Sequence, residues 1–117
     1  MHISVQAETF KLAKVFTISR GSRTEAEVLT VRVERDGHIG WGECVPYARY
    51  GETLLSVKAQ LEALGAVERS DLAEALSAGA ARNAMDCAMW DLDAKASGVR
   101  VSDMIGLGAL GPEITAY

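Results

Sequence analysis

One stretch limits what this chain can fold into more than any other. From Glu27 to Arg35 the residues alternate, with Leu29, Val31 and Val33 on one side and Thr30, Arg32 and Glu34 on the other. That is the period of a strand with a single buried face. Asp36-Gly37 follows, a dipeptide suited to the positive φ angles of a two-residue hairpin turn. The chain must therefore return antiparallel over His38 to Val45. Along this return strand the pattern places Ile39 and Trp41 on the buried side. Gly40 and Gly42 leave the other face bare, so that other backbone or a ligand loop can approach closely. Pro46 ends the strand because it has no N–H to donate. Upstream, Ile3, Val5 and Ala7 share one face of His2 to Ala7, and a small antiparallel sheet of about three strands results.

The remainder carries helical spacing. Leu54, Val57, Leu61 and Leu64 form one stripe, with Gly65 as the expected stop. Asp71 and Glu74 have the spacing of a capping box and would open a short second helix. From about Ala80 to Ser97, Ala81, Ala84, Met85, Ala88, Met89 and Leu92 make a broad face rich in alanine, against which another element must pack closely. Gly98 ends this helix, and Ser102 is expected to cap one more turn over Asp103 to Ile105. The fold class is α+β, an antiparallel sheet followed by a helical bundle.

The 117 residues suit one domain with a real core, and the balance of 49% hydrophobic to 24% charged residues is that of a globular chain. A net charge of −4 without any basic cluster excludes a nucleic-acid binder, which needs a cationic face for phosphates. No stretch approaches the ~18 apolar residues of a membrane span. The N-terminus reads as a strand straight from Met1, without a secretory leader, and the expected compartment is the cytoplasm. There Cys44 and Cys87, each flanked by apolar or small residues, are expected to be two buried thiols.

No catalytic or metal centre emerges from the residues themselves. His2 and His38 are unrelated in position. Asp86, Asp91 and Asp93 point in different directions on one helix, and a solvated flank with local hydrogen bonds explains them. None of Lys11, Lys14, Lys58 and Lys95 has a neighbouring base or a strand-end setting that would suit it to proton transfer. Gly106-x-Gly108 precedes no helix, so it is no dinucleotide motif. Residues 113–117, Glu-Ile-Thr-Ala-Tyr, read as the opening of a strand without a partner, which suggests a protein that continues.

Two loops are specialised. Ser19-Arg20-Gly21-Ser22-Arg23-Thr24 is a polar connection whose arginines could bind a carboxylate bidentately, or simply be solvated. Val45-Pro46-Tyr47-Ala48-Arg49-Tyr50-Gly51 crowds two tyrosines and an arginine, and exposed rings of this kind usually cover a ligand or another domain.

These loops carry a family resemblance. Residues 18–26, Gly40-Trp41-Gly42-Glu43 through Glu52, and the stretch Ala81-Arg82-Asn83-Ala84 through Ala88-Met89-Trp90-Asp91 resemble the capping domain of L-Ala-D/L-Glu epimerases, in the muconate-lactonizing branch of the enolase superfamily. The glycine and alanine elements mark the fold across that branch. Arg20-Gly21-Ser22-Arg23 and Pro46-Tyr47-Ala48-Arg49-Tyr50-Gly51-Glu52 are narrower and point to dipeptide epimerases. The resemblance implies an enolase N-terminal-like capping domain over 1–112, with 113–117 beginning the first strand of a (β/α)₇β barrel. It implies an isomerase whose Mg²⁺, catalytic carboxylates and lysines all belong to that barrel, so that this chain alone is inactive and holds neither catalytic nor metal residues.

What the resemblance leaves to this chain is selection of the substrate. Arg23 is placed to meet a substrate carboxylate, with Ser22, Thr24, Tyr47 and Tyr50 as further substrate-binding positions. The implied partners are the barrel domain and a small dipeptide. Two other readings stay open. One is a different muconate-lactonizing or mandelate-racemase-type reaction, such as cycloisomerisation, acid-sugar dehydration or o-succinylbenzoate synthesis; Arg23 favours the acidic dipeptide. The other is a free-standing binding or assembly module, whose bare sheet edge would invite a homo-oligomer.

Overall fold

The computed structural model describes residues 1–112; the strand opening expected at 113–117 lies outside the described residues. Three antiparallel strands, β1 (His2–Ile18), β2 (Gly21–Arg35) and β3 (His38–Cys44), form a sheet in the order β1-β2-β3. The turn between β2 and β3 is the expected one. Asp36 and Gly37 take φ angles of 51° and 79° and leave Arg35 opposite His38. Four helices follow: α1 (Leu54–Ala63), α2 (Leu72–Ala75), α3 (Ala80–Ser97) and α4 (Val101–Met104).

The core lies between one face of the sheet and α1 and α3. Leu29, Val31 and Val33 are fully buried there, as their alternation requires, beside Val57, Leu61 and the six expected residues of α3. The return strand is oriented the other way from the sequence reading. Gly40, Gly42 and Cys44 face the core, whereas Trp41 lies on the outer face and is half exposed. The glycines do admit backbone, and that backbone is α3. A Cβ on Gly40 would stand 2.6 Å from the Leu92 nitrogen, and one on Gly42 would stand 3.0 Å from the Ala84 carbonyl carbon and the Ala88 nitrogen. Hydrophobicity assigns Trp41 inward, but the closeness of the helix backbone excludes any side chain at positions 40 and 42.

Polar contacts lock α3 in place. Asp91 accepts the backbone N–H of Trp41 at 2.8 Å and the Lys95 ammonium at 2.6 Å, which satisfies a donor on the edge strand. Asp93 accepts from Arg35 Nη2 at 2.8 Å and Arg69 Nε at 3.1 Å, and the Arg69 guanidinium lies 3.5 Å from the Trp90 ring centre. The aspartates of this helix therefore act separately, as their spacing indicates.

Other expectations shift in detail. Helix α1 opens on a reciprocal cap between Thr53 and Ser56 and stops at Ala63, with Leu64 already extended ahead of Gly65. Asp71 precedes α2 but makes no side-chain cap; its carboxylate takes the Ser70 hydroxyl at 3.0 Å, because a 3₁₀ turn over Arg69–Asp71 runs directly into the helix. Ser102 lies inside α4 and does not cap it. Gly98 ends α3 in the left-handed region at φ 67°, as expected. Cys44 is buried, but Cys87 is exposed, on the side of α3 turned away from the sheet.

Candidate functional site

The first specialised loop is a hairpin rather than a loop. Strand β1 runs on through Ile18, only Ser19 and Arg20 form the turn, and β2 begins at Gly21. Ile18 pairs with Gly21, Thr17 with Ser22 and Phe16 with Arg23. Below this, pairing resumes at Lys11 opposite Glu25, so that Leu12 to Val15 stand opposite Thr24 alone. Such an excess on one strand bends a ribbon. The excess and the arm beyond it carry exposed apolar side chains, with Val15 61% and Phe16 59% exposed.

The second loop follows β3. Ala48–Tyr50 form a 3₁₀ turn closed by Gly51 at φ 74°, a conformation that glycine takes freely. Tyr47 is held from several sides. Its N–H donates to Glu52 Oε2 at 3.1 Å, and its carbonyl accepts from Tyr50 and Glu52 amides at 2.9 and 3.3 Å. Its ring lies 5.8 Å from that of Tyr50.

Between the bent arm and this turn is a concavity of about 600 Å³. Phe16, Ile18 and Val45 give it apolar walls, while Arg20, Arg23, Arg49 and Lys14 face it with Glu25 and Glu27. In a chain of net charge −4, four cations against two carboxylates make this a locally positive place. The two loops meet where Arg20 Nη2 donates to the Tyr47 hydroxyl at 3.4 Å, with its guanidinium 5.9 Å from the same ring. Arg23 has no ion pair among the described residues. Ser22 shares a 2.8 Å hydrogen bond with Thr17.

Of the five positions singled out in the sequence, Arg23, Ser22 and Tyr47 line the concavity. Thr24 and Tyr50 do not; Thr24 sits at the irregularity of the arm, and Tyr50 is 76% exposed behind Tyr47. Sequence reasoning passed over Phe16 and Ile18, although alternating apolar residues from Phe10 to Ile18 hint at strand, and it gave Glu52 no role of its own. Among the described residues no three His, Cys, Asp or Glu side chains are grouped to hold a metal ion. No helix among them is long and apolar enough to cross a membrane.

Known proteins share this fold. The chain is 44% identical over 119 residues to the L-Ala-D/L-Glu epimerase of Escherichia coli (strain K12), covering 97% of this chain and 37% of that protein. A crystal structure of an enolase family member from Agrobacterium tumefaciens, with homology to dipeptide epimerases and with bound sodium and L-Ala-L-Glu, superposes with a TM-score of 0.92 at 43% identity, over 98% of this chain and 37% of that one. The dipeptide epimerase of Methylococcus capsulatus, complexed with Mg and L-Arg-D-Lys, gives 0.77 at 32% identity over 90% and 34%. The chain thus spans little more than a third of the proteins it matches. The family model for the mandelate racemase / muconate lactonizing enzyme N-terminal domain covers residues 1–106, and with the glycine–alanine seam and the sheet in place the chain belongs to that family as its N-terminal domain.

Proposed function

We propose that this chain is the substrate-selecting cap of a Mg²⁺-dependent dipeptide epimerase acting on L-Ala-D/L-Glu-type dipeptides in the cytoplasm. In this reading residues 1–112 are the cap and 113–117 begin the first strand of the barrel that performs the proton transfers. One observation carries it: three arginines, Arg20, Arg23 and Arg49, face one apolar-walled concavity that the bent hairpin and the Tyr47–Gly51 turn enclose. Arg23, on the strand pair with Phe16, offers a planar guanidinium that matches a carboxylate bidentately. Ser22 and Tyr47 border the same space. The more similar of the two solved neighbours holds L-Ala-L-Glu, and the less similar one holds a dipeptide of basic residues. An acidic end group therefore suits this cap better.

The cap contributes no proton donor or acceptor to the reaction. Its task is to exclude water from the barrel mouth and to fix the far end of the dipeptide, so that binding energy away from the reacting carbon orients that carbon. The reading is tested in the protein obtained by continuing the gene past Tyr117. A strand ending in Lys-x-Lys, followed by spaced Asp, Glu and Asp, is expected there. In that protein Arg23→Ala should lower kcat/KM for L-Ala-L-Glu about 10- to 100-fold, the worth of a hydrogen bond to a charged group. An unchanged kcat/KM would sink the assignment of Arg23. The 117-residue chain alone should show no α-proton exchange of L-Ala-L-Glu in D₂O with Mg²⁺ present.

A further inference from the structure

The second wall of the concavity has no secondary structure beyond one 3₁₀ turn, yet it must hold Tyr47 where Arg20 reaches it. The element that fixes it is a single carboxylate. Glu52 Oε2 accepts the N–H of Tyr47 at 3.1 Å, and Oε1 accepts the N–H of Ala80, the first residue of α3, at 2.8 Å. Helix α3 is 18 residues long and its own cap residue is Gly79, which provides no side chain to its free amides. A carboxylate supplied from elsewhere meets both that missing acceptor and the positive end of the helix. The site is shaped for it, since a Cβ on Gly79 would stand 2.6 Å from Oε1.

We infer that Glu52 is a positioning residue that clamps the Tyr47–Gly51 turn onto the N-terminus of α3, and so sets the distance between the two walls of the concavity. The path is continuous. Arg20 of the hairpin turn touches Tyr47, Tyr47 is held by Glu52, and Glu52 is held by the helix that packs on the sheet through Gly40 and Gly42. Neither Asp nor Gln replaces the carboxylate at position 52. Asp is one methylene too short to span both amides, and the amide group of Gln can accept at only one of its two ends. The clamp stands on this geometry alone; its consequence for turnover rests on the function proposed above.

Amide hydrogen exchange in the 117-residue chain tests it. In Glu52→Gln, exchange at Tyr47 or Ala80, and at Tyr50 and Gly51, should rise at least ten-fold, while the amides of Val31 and Val33 keep their wild-type rates. Glu52→Asp should give the same pattern with a carboxylate still present, because it is too short to reach both amides; this variant decides the matter if Glu52→Gln does not fold. Unchanged exchange in the turn, or an equal rise in turn and sheet, would overturn the clamp. In the longer protein, Glu52→Gln should raise KM for L-Ala-L-Glu at least five-fold and change kcat by less than two-fold. A turn loosened by Glu52→Gln, alongside a longer wild-type protein that does not turn over L-Ala-L-Glu, would refute the function and leave the clamp standing.

Discussion

The two ends of β2 are built on opposite principles. At Asp36-Gly37 the sheet presents a face without side chains at Gly40 and Gly42, and α3 rests its backbone directly on it. At Ser19-Arg20 the hairpin reaches out with Phe16, Val15 and Ile18 uncovered, and its strand pairing is broken between Lys11 and Phe16. One end gains stability from contacts that tolerate no added atom. The other gives up burial and regular pairing, and gains freedom to vary. The arm can therefore change its sequence without disturbing the fold, because few core contacts depend on it.

The comparison is broken most forcefully at the seam. Gly42→Val places methyl groups where the Ala84 and Ala88 backbone already stands, and the expected loss exceeds about 4 kcal/mol, enough to abolish a cooperative urea transition. A variant with a wild-type urea midpoint would show that α3 is not seated as described. The thiols sharpen the contrast at the next level. Burial, and then the charges of Glu52 and Glu43, push the Cys44 thiol from 9.0 to about 11. At pH 8 a disulfide reagent should label exposed Cys87 quickly and Cys44 only on unfolding. The folded chain keeps the Cys44 proton to about pH 11, whereas the unfolded chain releases it near 9. The contribution of this thiol to stability is thus complete below pH 9 and is lost as pH rises from 9 to 11. Cys44→Ala should flatten the fall of the urea midpoint across that window; an identical fall would remove the thiol from the account. The smallest effect belongs to the arm. Phe16→Ser should change stability by no more than about 0.5 kcal/mol by urea titration, and a larger loss would mean that the arm is part of the core after all.

What the sequence made legible follows the same division. The β2–β3 hairpin was readable from Leu29, Val31, Val33 and Asp36-Gly37, and α3 from its alanine stripe, because each signal is local and repeats with the period of its element. The buried face of β3 was misread because Trp41 outweighs glycine on any hydrophobic scale, and the reason for the glycines lies in a helix more than forty residues away. Arg23 and Tyr47 stood out by residue type, and the fold does bring them to one concavity. Glu52 stood in the narrow stretch after Pro46, but its role was not legible, since its partners are the main-chain amides of Tyr47 and Ala80, which no residue type announces. The bend in the arm was equally silent, being a mismatch in the count of residues between two strands.

The seam between β3 and α3 also works as a vernier. Gly42 lies on Ala84, and Gly40 lies on Ala88, so two residues of strand are measured against four of helix in the opposite direction. Two strand residues advance about 6.7 Å and four helical residues about 6.0 Å. The scales agree for one step and drift apart by roughly 0.7 Å with each further one. A notch of this kind can be only a few residues long, and β3 begins at His38, only two residues before Gly40. Within that length only one alignment puts both glycines under α3, so the axial position of the helix, and with it the height of its N-terminus beside the concavity, is graduated by two missing side chains.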